Sequence, residues 1–533
     1  MKAYSPDEPK TQSKTEQGPS DELRIAVTFR PRAAEFPGPT KFGARLSTAS
    51  IGSFAPEPTA VDLALGELAR RGFEVTARGR LTASVRGKRQ EFEKVFGTRL
   101  DEVRLRSNQF RQFNSFYFPS ADAPWSPEPG IQSILDDAYI QWPHVYMAGR
   151  PRQTRSKTTR ASATRPRAAR KGRGQMPAAA LAGVAGPSAL PPNVPYHHLM
   201  IPGDVARHLN ATPAHRQGIT GRGVRVAMID SGFAHSHPFF SANSYASSVV
   251  LAPKATNRDA DANGHGTGES ANVFAVAPGV TFIGIKVDND ADPRAGASIL
   301  EGFQEALTHQ PHVISISLGY DLRDMATNRP LAPLPNNLVA LEAEIQAAIA
   351  GGTVVVFSAG NGHYAFPGQM PEVISAGGVY VDEAGALQAS DYASAFPSAI
   401  YSGRTVPDFC GLVGLLPNAD YITLPVPPGC IIDQENAVHD GTAPNDGWGV
   451  FSGTSAAAPQ IAGVCALLLE ANPGLSPAEI KGVLRRTARD VVAGRANPVC
   501  DPSGAGGIRA APNEDGATGA GLVDASAAVL QVR

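Results

Sequence analysis

From about Ile201 onward the chain alternates short apolar runs with stretches whose apolar residues fall three and four apart. Val224 to Ile229 is apolar except for Arg225, Thr281–Val287 and Val313–Leu318 follow, and Thr353–Phe357 is apolar at nearly every position. Between these runs, residues 298–309 set Ile299, Leu300, Phe303 and Leu307 at helical spacing, and 336–350 reads as a helix closed by Gly351 and Gly352. Runs that are apolar on both sides need cover on both sides. Their alternation with helices predicts an α/β fold, a mostly parallel sheet with helices on each face. Towards the end, Ser476-Pro477-Ala478-Glu479 has the make-up of a helix start: a capping hydroxyl, a proline in the first turn and a carboxylate to close the box.

The first part of the chain has another rhythm. Residues 1–22 are polar and charged without periodicity, as in a disordered tail. Leu23–Phe29 alternates like a strand, Thr59–Arg71 carries Val61, Leu63, Leu65 and Leu68 near helical spacing, and 74–77 and 81–85 read as strands. Lys88–Phe96 reads as a helix ended by Gly97, with Phe92, Val95 and Phe96 on one side. These elements predict a small α+β domain over residues 23–145. A tract from Arg150 to Arg173 then carries Lys and Arg with no acid between them, amid Thr, Ser, Ala and Pro. Like charges repel and little here can bury, so 146–195 reads as a solvated linker ahead of the main domain, 196–533. An exposed basic linker is also easily cut by proteases. The third reading, a nucleic-acid-binding arm, lacks interleaved aromatics to stack on bases.

Composition narrows this picture. A chain of 533 residues exceeds a single ordinary core, and a net charge of -1 does not mark a nucleic-acid binder. Four cysteines are too few for a disulfide scaffold, and none has metal-ligand spacing. Cys465 lies in an apolar helical pattern and reads as a buried thiol; Cys410 and Cys430 either pair or stay reduced. Met1–Glu8 lacks the apolar core of a signal peptide, and no uninterrupted apolar run reaches the about 20 residues of a membrane span. This favours a cytoplasmic location, with non-standard export left open, and no membrane partner.

Four stretches carry chemistry: Val226–Gly232, Asn263–Gly268, Ser358–Gly362 and Ser452–Pro459. Asp230 directly follows one apolar run, Asn361 lies four residues after Phe357, and Ser317–Gly319 end the run from Val313. All fall at carboxyl ends of predicted parallel strands, where open α/β sheets hold their sites. Ser455 opens a helical stretch over 456–471, with Pro459 in its first turn, and a helix N-terminus offers backbone N–H groups to an oxyanion. Seen singly, Ser455 is an ordinary helix cap, His265 a loop histidine between glycines and Asn361 a turn. Seen together, His265 can take the Ser455 proton, Asp230 can fix the imidazole and Asn361 can hold an oxyanion. His235 and His237 read as structural or rim residues.

The order Asp, His, Ser is that of the subtilisin lineage. Residues from about 200 to 533, as far as the closing segment Gly519–Ala525, resemble a subtilisin-family (subtilase) serine protease. The resemblance implies a subtilisin-like fold with catalytic Asp230, His265 and Ser455, Asn361 as oxyanion donor, and Ser317-Leu318-Gly319 pairing with the substrate backbone. Two features depart from it. Many relatives have a second histidine after His265-Gly266-Thr267, where Gly268-Glu269 stand here, and the helix behind His265 reads as short before Ala275–Gly279. Relatives often hold Ca²⁺, and Asp259, Asp261, Asp288, Asp290 and Asp292 are loop acids, but their spacing matches no calcium site, so no cofactor is expected to be required.

The segment Gly79–Leu100, with Phe96-Gly97-Thr98, resembles the activation prodomain of kumamolisin-type (sedolisin) proteases. Together the resemblances imply a serine endopeptidase made as a zymogen, acting on protein or peptide substrates through an acyl-enzyme. Its prodomain would assist folding and inhibit the cleft until cut. Sedolisins themselves use Glu in place of the His and an acidic oxyanion residue. His265 and Asn361 stand against that rival and imply a neutral or alkaline optimum. The alternative from another class is an inactive subtilase-fold protein that binds peptides without cutting them.

Overall fold

The computed structural model describes residues 20–33, 38–39, 46–106, 113–120, 122–146, 186–292, 294–324, 327–501 and 503–533. The tail before residue 20 and the basic tract from Arg150 to Arg173 lie outside them.

The N-terminal unit comprises β1 (Glu22–Phe29), α1 (Pro58–Arg70), β2 (Glu74–Arg78), β3 (Thr82–Lys88), α2 (Arg89–Val95), β4 (Leu100–Arg106), β5 (Phe113–Pro119), β6 (Leu135–Ile140) and β7 (Val145–Tyr146). Four strands form an antiparallel sheet in the order β2-β3-β1-β6, and β4 pairs with β5. The period of two sorts β3. Ala83 and Val85 join Ile25, Leu68 and Phe92 in a core beneath the two helices. Thr82, Ser84 and Arg86 point the other way, into the C-terminal unit.

That larger unit is built around β8 (Arg225–Asp230), β9 (Ser247–Leu251), α3 (His265–Val276), β10 (Thr281–Lys286), α4 (Ile299–Thr308), β11 (Val313–Ile316), β12 (Leu318–Asp321), α5 (Val339–Ala350), β13 (Val354–Ser358), β14 (Ala365–Phe366), β15 (Ile374–Val381), β16 (Leu387–Ala389), β17 (Phe409–Leu412), α6 (Thr454–Ala471), α7 (Pro477–Thr487) and α8 (Ala525–Val532). Its eight-stranded sheet runs β9-β10-β8-β11-β13-β15-β16, with β17 also on β15. Every pairing is parallel except that of β16.

Alternate side chains enter different cores. Val226, Met228, Val354 and Val356 pack with α3, α6 and α8. Ala227, Ile229, Val355 and Phe357 pack with α4 and α5. This is the α/β sheet covered on both faces that the apolar runs predict. The capping box at Ser476 and Glu479 is made as well.

Two expectations need correction. The run Val313–Leu318 is not one strand: the backbone leaves the large sheet at Ser317. It continues as β12, antiparallel to β14 on one side and to β7 on the other. The helix after His265 is not short, running twelve residues to Val276. Gly268 supplies the room: a Cβ there would lie 2.5 Å from the Phe451 ring.

The N-terminal sheet lies against α4 and α5. Glu344 accepts from the backbone N–H of Arg80, Leu81 and Thr82 at 3.0, 2.7 and 2.6 Å. Arg86, 2% exposed, grips Glu301 through Nε at 3.0 Å and Nη2 at 2.9 Å. Leu46, Ile51, Phe54 and Leu81 share one apolar cluster with α4 and α5.

Candidate active site

Asp230 is the last residue of β8 and fully buried. Its Oδ1 accepts from the Ser231 N–H at 2.7 Å and lies 2.7 Å from His265 Nδ1. A carboxylate can only accept, so the proton of this bond sits on Nδ1, which leaves Nε2 as the basic nitrogen. The two side chains meet because Gly266 has none: a Cβ there would lie 2.3 Å from Gly232 O and 2.8 Å from Asp230 Cβ. Burial disfavours the His265 imidazolium, but Asp230, with help from Glu269 and Asp261, outweighs it and raises the pKa to about 9.

Asp261, which the sequence offers only as a loop acid, organises this corner. Buried, it accepts from Ser231 Oγ (2.9 Å), Gly264 N (2.9 Å), Thr267 N (2.9 Å) and Thr267 Oγ1 (2.8 Å), tying β8 to the start of α3. The other loop acids are used differently. Asp290 binds the fully buried Lys286 ammonium, which also donates to the carbonyls of Asn257 and Ala260. Asp292 pairs with Arg294, and Asp259 is exposed. Among the described residues no group of three or more His, Cys, Asp or Glu is placed to hold a metal ion.

Ser455 is the second residue of α6, and its Oγ is buried without a hydrogen-bond partner, so the bond to His265 is not made in this structure. Helices α3 and α6 run side by side in the same direction. Asn272 Oδ1 accepts from Gln460 Nε2 at 3.0 Å, and a Cβ on Gly463 would touch Val276 at 2.7 Å. Their N-termini, bearing His265 and Ser455, therefore open at the carboxyl ends of the central strands, where Asp230 ends β8. Pro459 is the sixth helical residue, in the second turn and not the first as the sequence suggested. It has no N–H to give to the carbonyl of Ser455. That carbonyl accepts instead from Ser317 Oγ at 2.9 Å, which locks the bend between β11 and β12 onto the start of α6.

Asn361 follows β13. Its Oδ1 accepts from Thr454 N at 3.0 Å and Thr454 Oγ1 at 3.2 Å, so the amide nitrogen is turned toward Gly453. Gly453 needs its freedom, with φ at +136° and a virtual Cβ 2.8 Å from Asn361 Nδ2. The loop is held from behind. Asn361 N donates to His363 Nδ1 at 3.1 Å, and Arg323 donates to Gly362 O at 2.7 Å while stacking over Tyr364. Thr454 stands inside the stretch Ser452–Pro459; His363 and Arg323 lie outside all four chemistry-bearing stretches.

Leu318 and Gly319 do not face an open cleft: they pair with Tyr146 and Val145. His235 bonds Ser270 Oγ within an aromatic cluster and His237 bonds Gly447 O, both with pKa pushed down by burial, to about 3 and about 4. They are structural and not rim residues. All four cysteines are free and buried.

A sequence model described as the subtilase family matches residues 221–517, a span that contains Asp230, His265, Asn361 and Ser455. The chain belongs to the subtilase family. This subtilase is 28% identical over 296 residues to subtilisin E of Bacillus subtilis (strain 168), covering 52% of this chain and 64% of that one. It is 28% identical over 296 residues to the subtilisin of Bacillus pumilus, covering 89% of it. It is 27% identical over 300 residues to subtilisin Savinase of Lederbergia lenta, covering 91% of it. The match thus spans somewhat under two thirds of the length of subtilisin E. Among solved structures, a lanthipeptide protease aligns with 61% of this chain at 22% identity and a TM-score of 0.43.

Proposed function

We propose that this subtilase is a serine endopeptidase made as a zymogen, with Asp230, His265 and Ser455 as its triad and Asn361 as an oxyanion donor. The observation that carries this reading is the strand β7, seated antiparallel on β12 at the edge that leads through Ser317 to Ser455. Addition of a strand to a sheet edge is how an extended peptide is held by its backbone regardless of most side chains.

With a peptide carbonyl at that edge, His265 Nε2 takes the Ser455 proton as Oγ bonds to the carbonyl carbon. Asp230 holds the ring through Nδ1–H and stabilises the imidazolium. The oxyanion is met by the Ser455 N–H and the Asn361 amide. The C–N bond breaks, the imidazolium gives its proton to the leaving amine, and the ester on Ser455 is hydrolysed by water through the same steps in reverse. None of these steps calls on a metal or cofactor.

In this reading the N-terminal unit is the prodomain, akin to the kumamolisin type, and β7 blocks the cleft as an internal substrate mimic. The basic linker joins it to the protease. Because β7 runs toward Ser317 at Tyr146, opposite Leu318, this reading expects the first cut a few residues on, within 146–150. Incubating the purified chain and reading fragments by mass spectrometry tests this. Wild type is expected to yield a new N-terminus in that window, while Ser455→Ala stays intact. Equal processing of the Ser455→Ala chain would defeat the proposal. Failure of Ser455 to label with a fluorophosphonate would favour the non-cutting, peptide-binding alternative.

A further inference from the structure

Glu269 sits one helical turn beyond His265 on α3 and is fully buried. Residues four apart on a helix share a face. Its Oε2 accepts from Asn272 Nδ2 at 3.0 Å, and its Oε1 has no hydrogen-bond partner. Its orientation is imposed from the helix that carries the nucleophile. Gln460 Oε1 accepts from Leu412 N at 2.7 Å, so Gln460 Nε2 donates to Asn272 Oδ1, which turns Asn272 Nδ2 toward Glu269. A carboxyl without a cation is costly in such a place. No Lys or Arg pairs with Glu269 among the described residues. The cation that can form nearby is the His265 imidazolium, made at each proton transfer.

We propose that Glu269 is a positioning residue that stabilises protonated His265 from the helix side, as Asp230 does from the strand side, and so sets the pH at which the base becomes competent. This rests on the protease reading of the site. The charged groups facing His265 are Asp230 at the end of β8, Asp261 in the loop before α3, and Glu269. The charged groups facing Glu269 are His265 and Asp230, and from α6 the neutral Gln460 reaches it only through Asn272. Burial raises the Glu269 carboxyl more than His265 lowers it, which leaves it at about 8. The pair therefore titrates as one coupled unit.

The sign follows. A base must be neutral to act, and a carboxylate beside it holds its proton to higher pH. Glu269→Gln keeps the size and the acceptor for Asn272 but removes the charge. The acid limb of kcat/KM is expected to move to lower pH by about one unit, with a several-fold loss of kcat at the plateau. The His265 midpoint read by NMR in the full-length Ser455→Ala chain is expected to fall likewise when Glu269→Gln is added. This readout needs no activity, so it separates failure of this inference from failure of the protease reading. In Ser455→Ala with Glu269 intact, a ¹³C label on its carboxyl is expected to show an inflection at the His265 midpoint. An unmoved midpoint, or a carboxyl with no inflection there, reduces Glu269 to a packing role and overturns the proposal.

Discussion

Asn361 shows how one polar side chain is aimed by another. An amide has two ends, and Thr454 claims the oxygen twice, which leaves the nitrogen for the space before Ser455. The proposed reaction asks more of that donor once the carbonyl oxygen carries charge than before. Asn361→Ala is therefore expected to lower kcat by about 10²–10³, with KM nearly unchanged, in steady-state peptide hydrolysis; the size is that of the same loss in subtilisin. Equal losses in binding and turnover would mean that Asn361 only shapes the loop.

At the scale of elements, the junction of β11, β12 and α6 depends on a missing hydrogen. Pro459 strands the Ser455 carbonyl, and Ser317 Oγ satisfies it. Ser317→Ala is expected to cost about 1–3 kcal/mol by leaving a buried acceptor unpaired. Pro459→Ala supplies a helical N–H to the same carbonyl, so the double variant should unfold at higher denaturant concentration than Ser317→Ala alone. Simple additivity of the two changes would show that the hydroxyl and the proline do not share this carbonyl. This junction also marks where reading the sequence stops. Apolar runs such as Thr353–Phe357 reveal strands because both faces are buried, and Ser-Pro-Ala-Glu reveals a helix start because capping is local. The break at Ser317 is invisible to periodicity, since Val313–Leu318 keeps its apolar character across the bend. Asp261 and Glu269 were legible as acids but not as organisers of the site. Several partners lie only three to six residues away, but the contacts that fix both acids in place, Ser231 on Asp261 and Gln460 on the Asn272 beside Glu269, come from remote parts of the chain. Arg323 acts on a carbonyl 39 residues away, so nothing near it in the chain announces its part, and His363 reaches an amide two residues back only because the loop folds over it.

Across the whole molecule, the N-terminal unit is held to the C-terminal one by polar groups that would otherwise face water. Glu344 caps three amides of the turn into β3, and Arg86 spends its guanidinium on Glu301 and on the carbonyls of Ala295 and Gly296. His144, just before β7, has its pKa pushed down to about 3 by burial and then by Arg24. A group held neutral in the complex and titrating near 6.5 when free supports the complex fully above about pH 6.5. That support is lost as pH falls from there toward 3, by up to about tenfold per unit. Activity after self-cleavage is thus expected to appear sooner at pH 5.5 than at 7.5 when all assays are read at one common pH. His144→Gln should remove most of the difference, and an unchanged difference in that variant would rule His144 out as its source.

One edge of β12 is offered to one strand, and β7 already lies along it. While the chain is whole, that occupant is tethered and competes at an effective concentration of about millimolar, whatever the concentration of enzyme in solution. A single cut after β7 turns it into a separate molecule, and its hold then weakens with every dilution. If β7 is the inhibitor proposed above, the same row of amides would keep a crowded, newly made protein silent and release it once it has spread into a larger volume.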